Sequence, residues 1–391
     1  MIGDPEIDFP DLASQHWLNC AHQGPLPACA RAVAEEAVRW KAQPWELTSA
    51  RFAGVPARLK AAIGRLIGAA PEEVILANGA SYGLHLLANG IPWQAGDEVL
   101  AMEGDFPTDI LPWTGLEPRG VTLRLLAPRG RVLDAGEIAA AIGPRTRLLC
   151  LTFVHSFSGW AIDLAAIGAV CRERGVLFVV NASQALGARP FDVGSAPVDA
   201  VVSVGWKWLC GPYATGFCWM RPELLGQLTY NQNYWLSVLS AEDLGREVLD
   251  LITPRGDPGA RRYDIFATAN FFNFVPWTAA IEFLLERGIE AVAAHDQRLV
   301  QRLIDGLDGD RYRLLSPRAG PQRSTLVFIA PHERAQTRAI ADALAGARVH
   351  VAVRAGALRL APHLYNTEAD IDAALAVLND HSAGGEGEQR P

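Results

Sequence analysis

Short apolar segments alternate with amphipathic segments through the middle of the chain. The apolar segments have the length and composition of strands that are covered on both faces. The segments between them have helical spacing of apolar residues, as at 81–88, 135–142 and 164–174, and Gly175 ends the last of these helices. Strands are predicted at 73–77, 98–102, 121–126, 147–154, 176–180, 200–204 and 216–220. The alternation predicts crossover units that build a mainly parallel sheet in an α/β domain.

The pattern changes near residue 272. Two long helices are predicted at 276–286 and 289–307, followed by a strand at 325–329, a helix at 336–345, strands at 348–353 and 357–360, and a helix at 367–378. We therefore predict an N-terminal segment (1–30), a large domain (31–271), a small C-terminal α+β domain (272–380) and a disordered tail (381–391). Periodicity is weak over 228–262, so little is predicted for that segment.

Composition narrows the class of protein. The 391 residues carry 35 Lys and Arg against 43 Asp and Glu, a net charge of −8, which leaves no basic surface for nucleic acid or for a membrane. The apolar segments are too short to cross a bilayer, and the acidic N-terminus is unlike a signal peptide. The six cysteines are scattered without metal-ligand spacing. We expect buried thiols in a cytoplasmic protein.

Lys207 is the candidate for covalent chemistry. Only three of the 35 basic residues are lysines, and Lys41 and Lys60 lie in amphipathic helical segments where both are expected to reach water. Lys207 follows an apolar strand in the sequence GWKWLCGP, between two tryptophans. Burial lowers the pKa of an amine, and the neutral amine is the form that attacks an aldehyde. The alternative is a lysine that reaches solvent or pairs with a carboxylate.

Polar residues also follow the preceding predicted strand. Asn181 and Gln184 come after 176–180, and the ligands of parallel α/β sheets bind beyond the carboxyl ends of strands. Asn181 and Lys207 are therefore expected to face one crevice. Pyridoxal phosphate requires such an arrangement, a lysine at its aldehyde and a hydrogen-bonding partner at its ring nitrogen. The alternative is that Asn181 and Gln184 cap the end of a strand.

A third segment predicts an anion site. In ANGASYGLHLL a strand is followed by a turn and a helix, and the backbone N–H groups of Gly79, Ala80 and Ser81 begin that helix. The segment matches neither the P-loop nor the dinucleotide-binding pattern.

With these segments in order, the chain resembles the class V aminotransferase family, a branch of the fold-type I pyridoxal-phosphate enzymes. The resemblance runs from WLNCAHQGPLP to LYNTEADID, and its most specific part is GWKWLCGPYATGF. It is similar to the isopenicillin-N-epimerase-like, kynureninase-like and desulfurase-like members. The resemblance implies an α/β fold with a large domain built on a mainly parallel seven-stranded sheet and a smaller C-terminal α+β domain. It also implies pyridoxal 5'-phosphate as cofactor and a homodimer with shared active sites, which residues 1–30 would cover.

The resemblance assigns a role to each matching position. It implies that Lys207 holds the cofactor as an internal aldimine and later moves protons at the substrate α-carbon. The other implied cofactor contacts are Gly79, Ala80, Ser81 and Trp206 at the phosphate, Phe106 stacked on the ring, Asn181 at the ring nitrogen, Gln184 and Ser156 at the ring hydroxyl, and Thr268 crossing to the partner's phosphate. The implied substrate contacts are Arg359 as the carboxylate clamp, with Arg354 and Asn19. Taken singly, Phe106 could be core, Thr268 a helix cap and Arg359 a surface ion-pair partner.

The sequence departs from the family at two places. The family normally has aspartate where this chain has Asn181, and a neutral amide lacks the charge that keeps the ring nitrogen protonated. The weaker electron sink favours β-elimination over transamination, unless a nearby group or water supplies the missing acidity. Desulfurases carry a cysteine shortly before the clamp arginine, but the segment HVAVRAGALRLAPH has none. A persulfide-forming cysteine desulfurase is therefore not expected, whereas a C–S lyase remains allowed.

We expect a pyridoxal-phosphate enzyme that acts on an α-amino acid through an external aldimine and deprotonation of the α-carbon. β-Elimination by a C–S or similar lyase is ranked just ahead of aminotransferase activity, and epimerisation is third because no acid on the opposite ring face is evident. His155 and Tyr82 are candidate pocket acids. An inactive binding protein with this fold is the alternative from another class, and the absence of a dinucleotide fingerprint opposes a nucleotide-dependent enzyme. Substrate identity is left open.

Overall fold

The computed structural model describes residues 3–232, 234–239, 243 and 258–380. The predicted tail at 381–391 and much of 228–262 lie outside these residues. The strands are β1 His16–Trp17, β2 Val74–Ala77, β3 Glu98–Met102, β4 Thr122–Leu126, β5 Thr146–Thr152, β6 Leu177–Asn181, β7 Ala200–Val204, β8 Gly216–Met220, β9 Tyr312–Leu314, β10 Val327–Pro331, β11 Val349–His350, β12 Ala352–Arg354 and β13 Ala357–Leu360. The helices are α1 Pro5–Asp8, α2 Ala28–Ala42, α3 Ser49–Ile67, α4 Ala80–Gly90, α5 Leu111–Thr114, α6 Ala135–Ala141, α7 Leu164–Arg174, α8 Pro222–Leu225, α9 Trp235–Val238, α10 Phe271–Arg287, α11 Ile289–Gly306, α12 Thr337–Gly346 and α13 Glu368–Leu378.

A seven-stranded sheet forms the centre of the described structure, in the order β2-β8-β7-β6-β5-β3-β4. Neighbouring strands are parallel except at β8, which is antiparallel to both β2 and β7. Side chains on alternate residues enter two apolar layers: Phe178 and Val180 of β6 pack on one face and Val179 on the other. Burial on both faces explains why these strands are continuous apolar runs. The predicted mainly parallel α/β sheet is confirmed.

A smaller antiparallel sheet, in the order β12-β13-β10-β9, packs with α11, α12 and α13 around its own apolar core. This is the predicted C-terminal α+β unit. The short strand β1, from the N-terminal segment, pairs in parallel with β11. The domain boundaries stay a prediction, since α10, which spans residue 272, packs against α2 and α3.

Several elements differ from the sequence-based expectations. The strand expected at 348–353 is divided into β11 and β12, and the strands β1 and β9 were not predicted. The helical segments expected around Lys41 and Lys60 are the helices α2 and α3. The start of α3 is capped by the Thr48 hydroxyl, which accepts a hydrogen bond from the backbone N–H of Arg51, and Gly68 ends the helix in the left-handed conformation with φ 72°. No helix in the described residues is long and apolar enough to span a membrane.

Two expectations about single residues were wrong. Lys60 does not reach water: it is 8% exposed, and its Nζ lies 2.8 Å from Asp264 Oδ2. A partner so distant in sequence is invisible to helical periodicity, and it offsets the cost of burying the charge. Cys29 is exposed near the start of α2, whereas the other five cysteines are buried as expected.

Candidate active site

One cavity of about 570 Å³ lies beyond the carboxyl ends of β6 and β7. Because these parallel strands are neighbours, the residues that follow them meet at one edge of the sheet. The predicted site residues that line the cavity are Gly79, Ala80, Ser81, Phe106, Ser156, Asn181, Gln184, Trp206, Lys207, Arg354 and Arg359. Segments widely separated in sequence therefore converge on a single site.

The turn that carries Lys207 is held by close backbone packing. The N–H of Gly24 donates to the Trp206 carbonyl at 2.8 Å, and a Cβ on Gly24 would lie 2.0 Å from the Lys207 carbonyl oxygen. Within the turn, a Cβ on Gly205 would lie 2.3 Å from Thr215 Oγ1. Only glycine fits at these close approaches. Close packing against Gly24 of the N-terminal segment and against Thr215, just before β8, therefore fixes the backbone position of the turn that carries Lys207.

The environment of Lys207 favours its neutral form. Burial, followed by the positive charge of Arg359, lowers the pKa of Lys207 to about 8. Its Nζ lies 5.5 Å from the centroid of the Phe106 ring, so the amine and the flat face of an aromatic ring share the cavity. Near neutral pH, a larger fraction of this amine than of an ordinary lysine is therefore neutral and nucleophilic.

We expect the rate of pyridoxal phosphate capture by cofactor-free protein to rise with pH, with an inflection at about 8. An ordinary lysine would give an inflection near 10.4. In Arg359→Met the inflection should move to higher pH, because removing a nearby positive charge makes protonation of Lys207 easier. Stopped-flow absorbance between about pH 6 and pH 10 measures both. Arg338→Met, on the exposed face of α12, is the control, and an unmoved inflection in Arg359→Met would contradict the assignment.

The polar side chains at the end of β6 and just after it are oriented by hydrogen bonds. Gln184 Oε1 accepts from the indole N–H of Trp208 at 2.9 Å, and Gln184 Nε2 donates to the Ala21 carbonyl at 3.1 Å. Asn181 Nδ2 donates to Asp109 Oδ1 at 2.9 Å. Each amide is thus fixed in one orientation and keeps one N–H for the cavity.

The opposite end of the cavity is an anion-binding environment. The helix α4 begins at Ala80 and directs its free N–H groups and dipole toward the cavity. The hydroxyl oxygen of Ser81 lies 3.1 Å from that of Thr108. A Cβ on Gly79 would meet the Trp206 ring at 3.4 Å, so that ring packs closely over the turn.

Arg359 is a buried guanidinium that faces the cavity from β13. Its Nη2 donates to Asn19 Oδ1 at 3.3 Å, and its buried Nε has no hydrogen-bond partner within the described part of the chain. Burial, and then the charge of Arg354, lowers the pKa of Arg359 to about 10. A buried unpaired donor is costly unless a ligand satisfies it. A substrate carboxylate matches the fork of this guanidinium.

A buried histidine–aspartate pair contacts the turn that carries Lys207. His363 Nδ1 lies 2.8 Å from Asp296 Oδ2, and His363 Nε2 donates to the Trp208 carbonyl at 3.1 Å. Burial alone would lower the pKa of His363, but Asp296 raises it to about 10. This contact couples the residue after Lys207 to the helix α11.

Some predicted residues lie elsewhere. Asn19 contacts Arg359 without lining the cavity. Thr268, between Tyr263 and α10 in the chain, does not line the cavity either, so its role across a dimer interface stays a prediction. His155 is not a free pocket acid, since its ring nitrogens contact Ser158 Oγ and the Gly104 carbonyl. Tyr82 donates to the Tyr263 carbonyl, and burial raises its pKa to about 12.

Several polar groups at the site were not predicted from the sequence, among them His22, Thr152 and Asp109. His22 lines the cavity, and burial, followed by the charges of Arg354 and Arg359, lowers its pKa. Thr152 lines the cavity floor, and Asp109 lies fully buried behind it. The sequence does show polar residues at the end of β5 and after Phe106. It does not show that they meet at the cavity, because their contacts depend on the order of the strands in the sheet.

The donor set fits pyridoxal phosphate. The cavity has an amine of lowered pKa for the aldehyde, an aromatic face for the ring, free amide N–H groups for ring atoms and a helix N-terminus for the phosphate. Arg359 remains for a substrate carboxylate.

The homodimer and the cytoplasmic location stay predictions.

Comparisons with known proteins agree with this geometry. The family model for aminotransferase class-V matches residues 45–374. A probable cysteine desulfurase of Methanothermobacter thermautotrophicus is 26% identical, over 96% of this chain and 97% of that protein. Isopenicillin N epimerase of Streptomyces clavuligerus is 27% identical over 72% of each chain.

Solved structures show the same fold. A variant of C-DES with glycine covalently linked to its pyridoxal phosphate is 23% identical, with a TM-score of 0.87 over 97% of this chain and 99% of that one. The complex of the cystine C–S lyase C-DES with its product cysteine persulfide is 24% identical, with a TM-score of 0.85 over 95% and 99% of the two chains.

The expectation that this protein is not a persulfide-forming cysteine desulfurase is contradicted by these comparisons. Several relatives are named as probable cysteine desulfurases, and one of them matches almost end to end. The absence of cysteine from the segment around Arg354 and Arg359 describes one loop, and it does not exclude that sulfur chemistry.

A family model that spans most of the chain and a cavity with the matching donor set lead to one conclusion. The chain belongs to the class-V aminotransferase family of pyridoxal-phosphate-dependent enzymes.

Proposed function

We propose that this enzyme cleaves the C–S bond of a cysteine-type α-amino acid. The observation that carries the proposal is the pairing, in one cavity, of an amine with a pKa of about 8 at Lys207 and a buried, unsatisfied guanidinium at Arg359. The amine suits proton transfer at an α-carbon, and the guanidinium suits the neighbouring carboxylate.

The chain's own residues position the reactants. When bound, pyridoxal phosphate supplies an aldehyde that joins an amine and a ring that withdraws electrons from the α-carbon. Arg359 binds the substrate carboxylate and thereby orients the α-carbon toward Lys207. Phe106 lines the cavity beside Lys207 and would offer its ring face to the cofactor ring. Once its amine is not bound to the cofactor, Lys207 takes the proton from the α-carbon. In a later step it returns a proton to another atom of the reacting molecule.

Elimination is the bond change that best suits this site. After Lys207 removes the α-proton, the Cβ–S bond breaks and its electron pair leaves with sulfur. The remaining three-carbon fragment takes up water and yields pyruvate and ammonia. Asn181 supports this choice because a neutral partner for the ring nitrogen stabilises negative charge at the α-carbon weakly, and early loss of a leaving group then becomes advantageous. Several relatives are named as probable cysteine desulfurases, an activity that also involves sulfur, while another is named as an epimerase.

The test is product analysis of the holoenzyme with L-cystine and L-cysteine. We expect sulfur release, as persulfide or sulfide, with pyruvate and ammonia in equal amounts from L-cystine. Incubation with L-alanine and a 2-oxo acid measures transamination, and chiral analysis measures epimerisation. Accumulation of a new amino acid, or inversion of configuration, without sulfur release would overturn the proposal. Mass spectrometry of the protein would show whether any sulfur is held on a cysteine.

A further inference from the structure

A buried hydrogen-bond chain stands behind Asn181. It links Asn181 to Asp109, Asp109 to Thr152, and Thr152 to Asp105, and all four side chains are at most 4% exposed. Asp109 and Asp105 are therefore a pair of buried carboxyl groups that share one hydroxyl. None of the roles assigned above uses this pair.

The orientation of the Asn181 amide is determined by its neighbours. Asn181 Oδ1 accepts from the backbone N–H of Ser183 at 3.1 Å and from the Ser183 hydroxyl at 2.6 Å. That hydroxyl also accepts from the N–H of Val204 at 3.2 Å, so its own proton points to Asn181. A backbone N–H can only donate, and a flipped amide would place two donors against each other. Asn181 therefore presents only an N–H to the cavity.

The number of available protons determines which carboxyl group of the pair, Asp105 or Asp109, is protonated. Asp105 accepts from the backbone N–H groups of Phe106, at 2.8 Å, and of Thr152, at 3.1 Å, and it also contacts the Thr152 hydroxyl. Thr152 Oγ1 lies 3.1 Å from Asp109 Oδ2 as well. A hydroxyl has one proton and donates it to one carboxylate only, so the other carboxyl group must donate. Because both oxygens of Asp105 already accept, Asp109 is the donor.

The electrostatics agree with this assignment. Burial, and then the charge of Asp105, raises the pKa of Asp109 well above its usual range. Asn181, Thr152 and Lys207 act in the opposite direction and do not outweigh these effects. Two carboxyl groups in one buried site commonly share a single proton.

We propose that Asp109 is a positioning residue that carries a proton and, through Asn181, keeps the cofactor's ring nitrogen unprotonated. The neutral acid accepts one N–H of the Asn181 amide, and the second N–H is donated to the ring nitrogen. An N–H donor and a pyridinium N–H exclude each other at that contact. Asp109 therefore does not supply the negative charge that is lost because this chain has Asn181 where the family normally has aspartate. This inference rests on the proposed function for the placement of Asn181 at the ring nitrogen.

The first test measures the ring nitrogen directly. The full-length protein is reconstituted with pyridoxal phosphate labelled with nitrogen-15 in the ring, and the nitrogen-15 chemical shift is recorded without substrate. We expect the shift of an unprotonated pyridine in the wild type and the same shift in Asp109→Asn, since asparagine is isosteric with the protonated acid. Asn181→Asp should move the signal to the pyridinium range. A pyridinium shift in the wild type, or a changed shift in Asp109→Asn, overturns the proposal.

The second test needs no cofactor. Asp109→Asn keeps both a donor to Thr152 and an acceptor for Asn181, so the thermal unfolding midpoint should change little. Asp105→Asn places an amide NH₂ against backbone N–H groups, so the midpoint should fall by several degrees. Equal losses, or a larger loss in Asp109→Asn, would show that Asp109 is the charged member and would overturn the proposal. Neither test depends on turnover, so failure to cleave C–S bonds would count against the proposed function alone.

Discussion

Replacing Lys207 by alanine is expected to abolish covalent attachment of the cofactor and to slow turnover by about 10²- to 10⁴-fold, the usual contribution of a positioned acid–base group. The amine of lowered pKa lies in the same cavity as Phe106 and Arg359, and neither Lys41 nor Lys60 lines it. Borohydride reduction followed by intact-mass measurement detects the attachment, and steady-state kinetics with L-cystine measures the rate.

The matched control for Lys207 is Lys41→Ala. Lys41 is exposed on α2 and lies outside the cavity, so the adduct mass and the rate should remain those of the wild type. Peptide mapping of the reduced wild type locates the modified lysine. Modification of Lys41 or Lys60, or an adduct that survives in Lys207→Ala, would contradict the assignment.

Replacing Arg359 by methionine is expected to lower kcat/KM for an amino-acid substrate by roughly 30- to 5,000-fold, the range for losing one member of a desolvated charge pair, about 2–5 kcal/mol. The loss should fall mainly on KM, since the carboxylate does not change during the reaction. Arg359→Lys should recover only part of it, because an ammonium lacks the two-pronged geometry. The free energy of unfolding should change little, because the substitution removes a buried charge with an unpaired Nε but also the hydrogen bond to Asn19.

The specificity of this effect is tested on the substrate side. Cysteamine is the amine that remains when the carboxylate of L-cysteine is removed. If Arg359 binds the carboxylate, wild type and Arg359→Met should process or bind cysteamine with equal weakness. An equal fold-loss for cysteine and cysteamine would instead show that Arg359 acts on the cavity as a whole.

The sequence was sufficient for the main elements and for most of the cavity. Asn181 and Lys207 were expected at neighbouring strand ends, and β6 and β7 are adjacent and parallel. This prediction was possible because the strands are visible as short apolar segments, and ligands of parallel sheets bind beyond the carboxyl ends of strands. Family resemblance then supplied Arg359, whose approach from β13 no local pattern predicts.

What the sequence did not reveal depends on partners far along the chain. Lys60 looked like a solvent-facing helix residue because its ion pair with Asp264 requires the folded chain. Asp109 drew no attention, since an aspartate after a turn is an ordinary surface residue until β5 and β6 place Thr152 and Asn181 against it. Residue types were visible, but the contacts that set protonation were not.

The pairing of β1 with β11 has a consequence for biosynthesis. His16 and Trp17 are synthesised long before their partners Val349 and His350, which lie in a distant part of the chain. At typical elongation rates β1 waits on the order of tens of seconds with an unpaired edge. Gly24, which locks the lysine turn, belongs to the same early segment. The cofactor site, which includes Arg359 of β13, is therefore completed only after β11 and β13 have been synthesised.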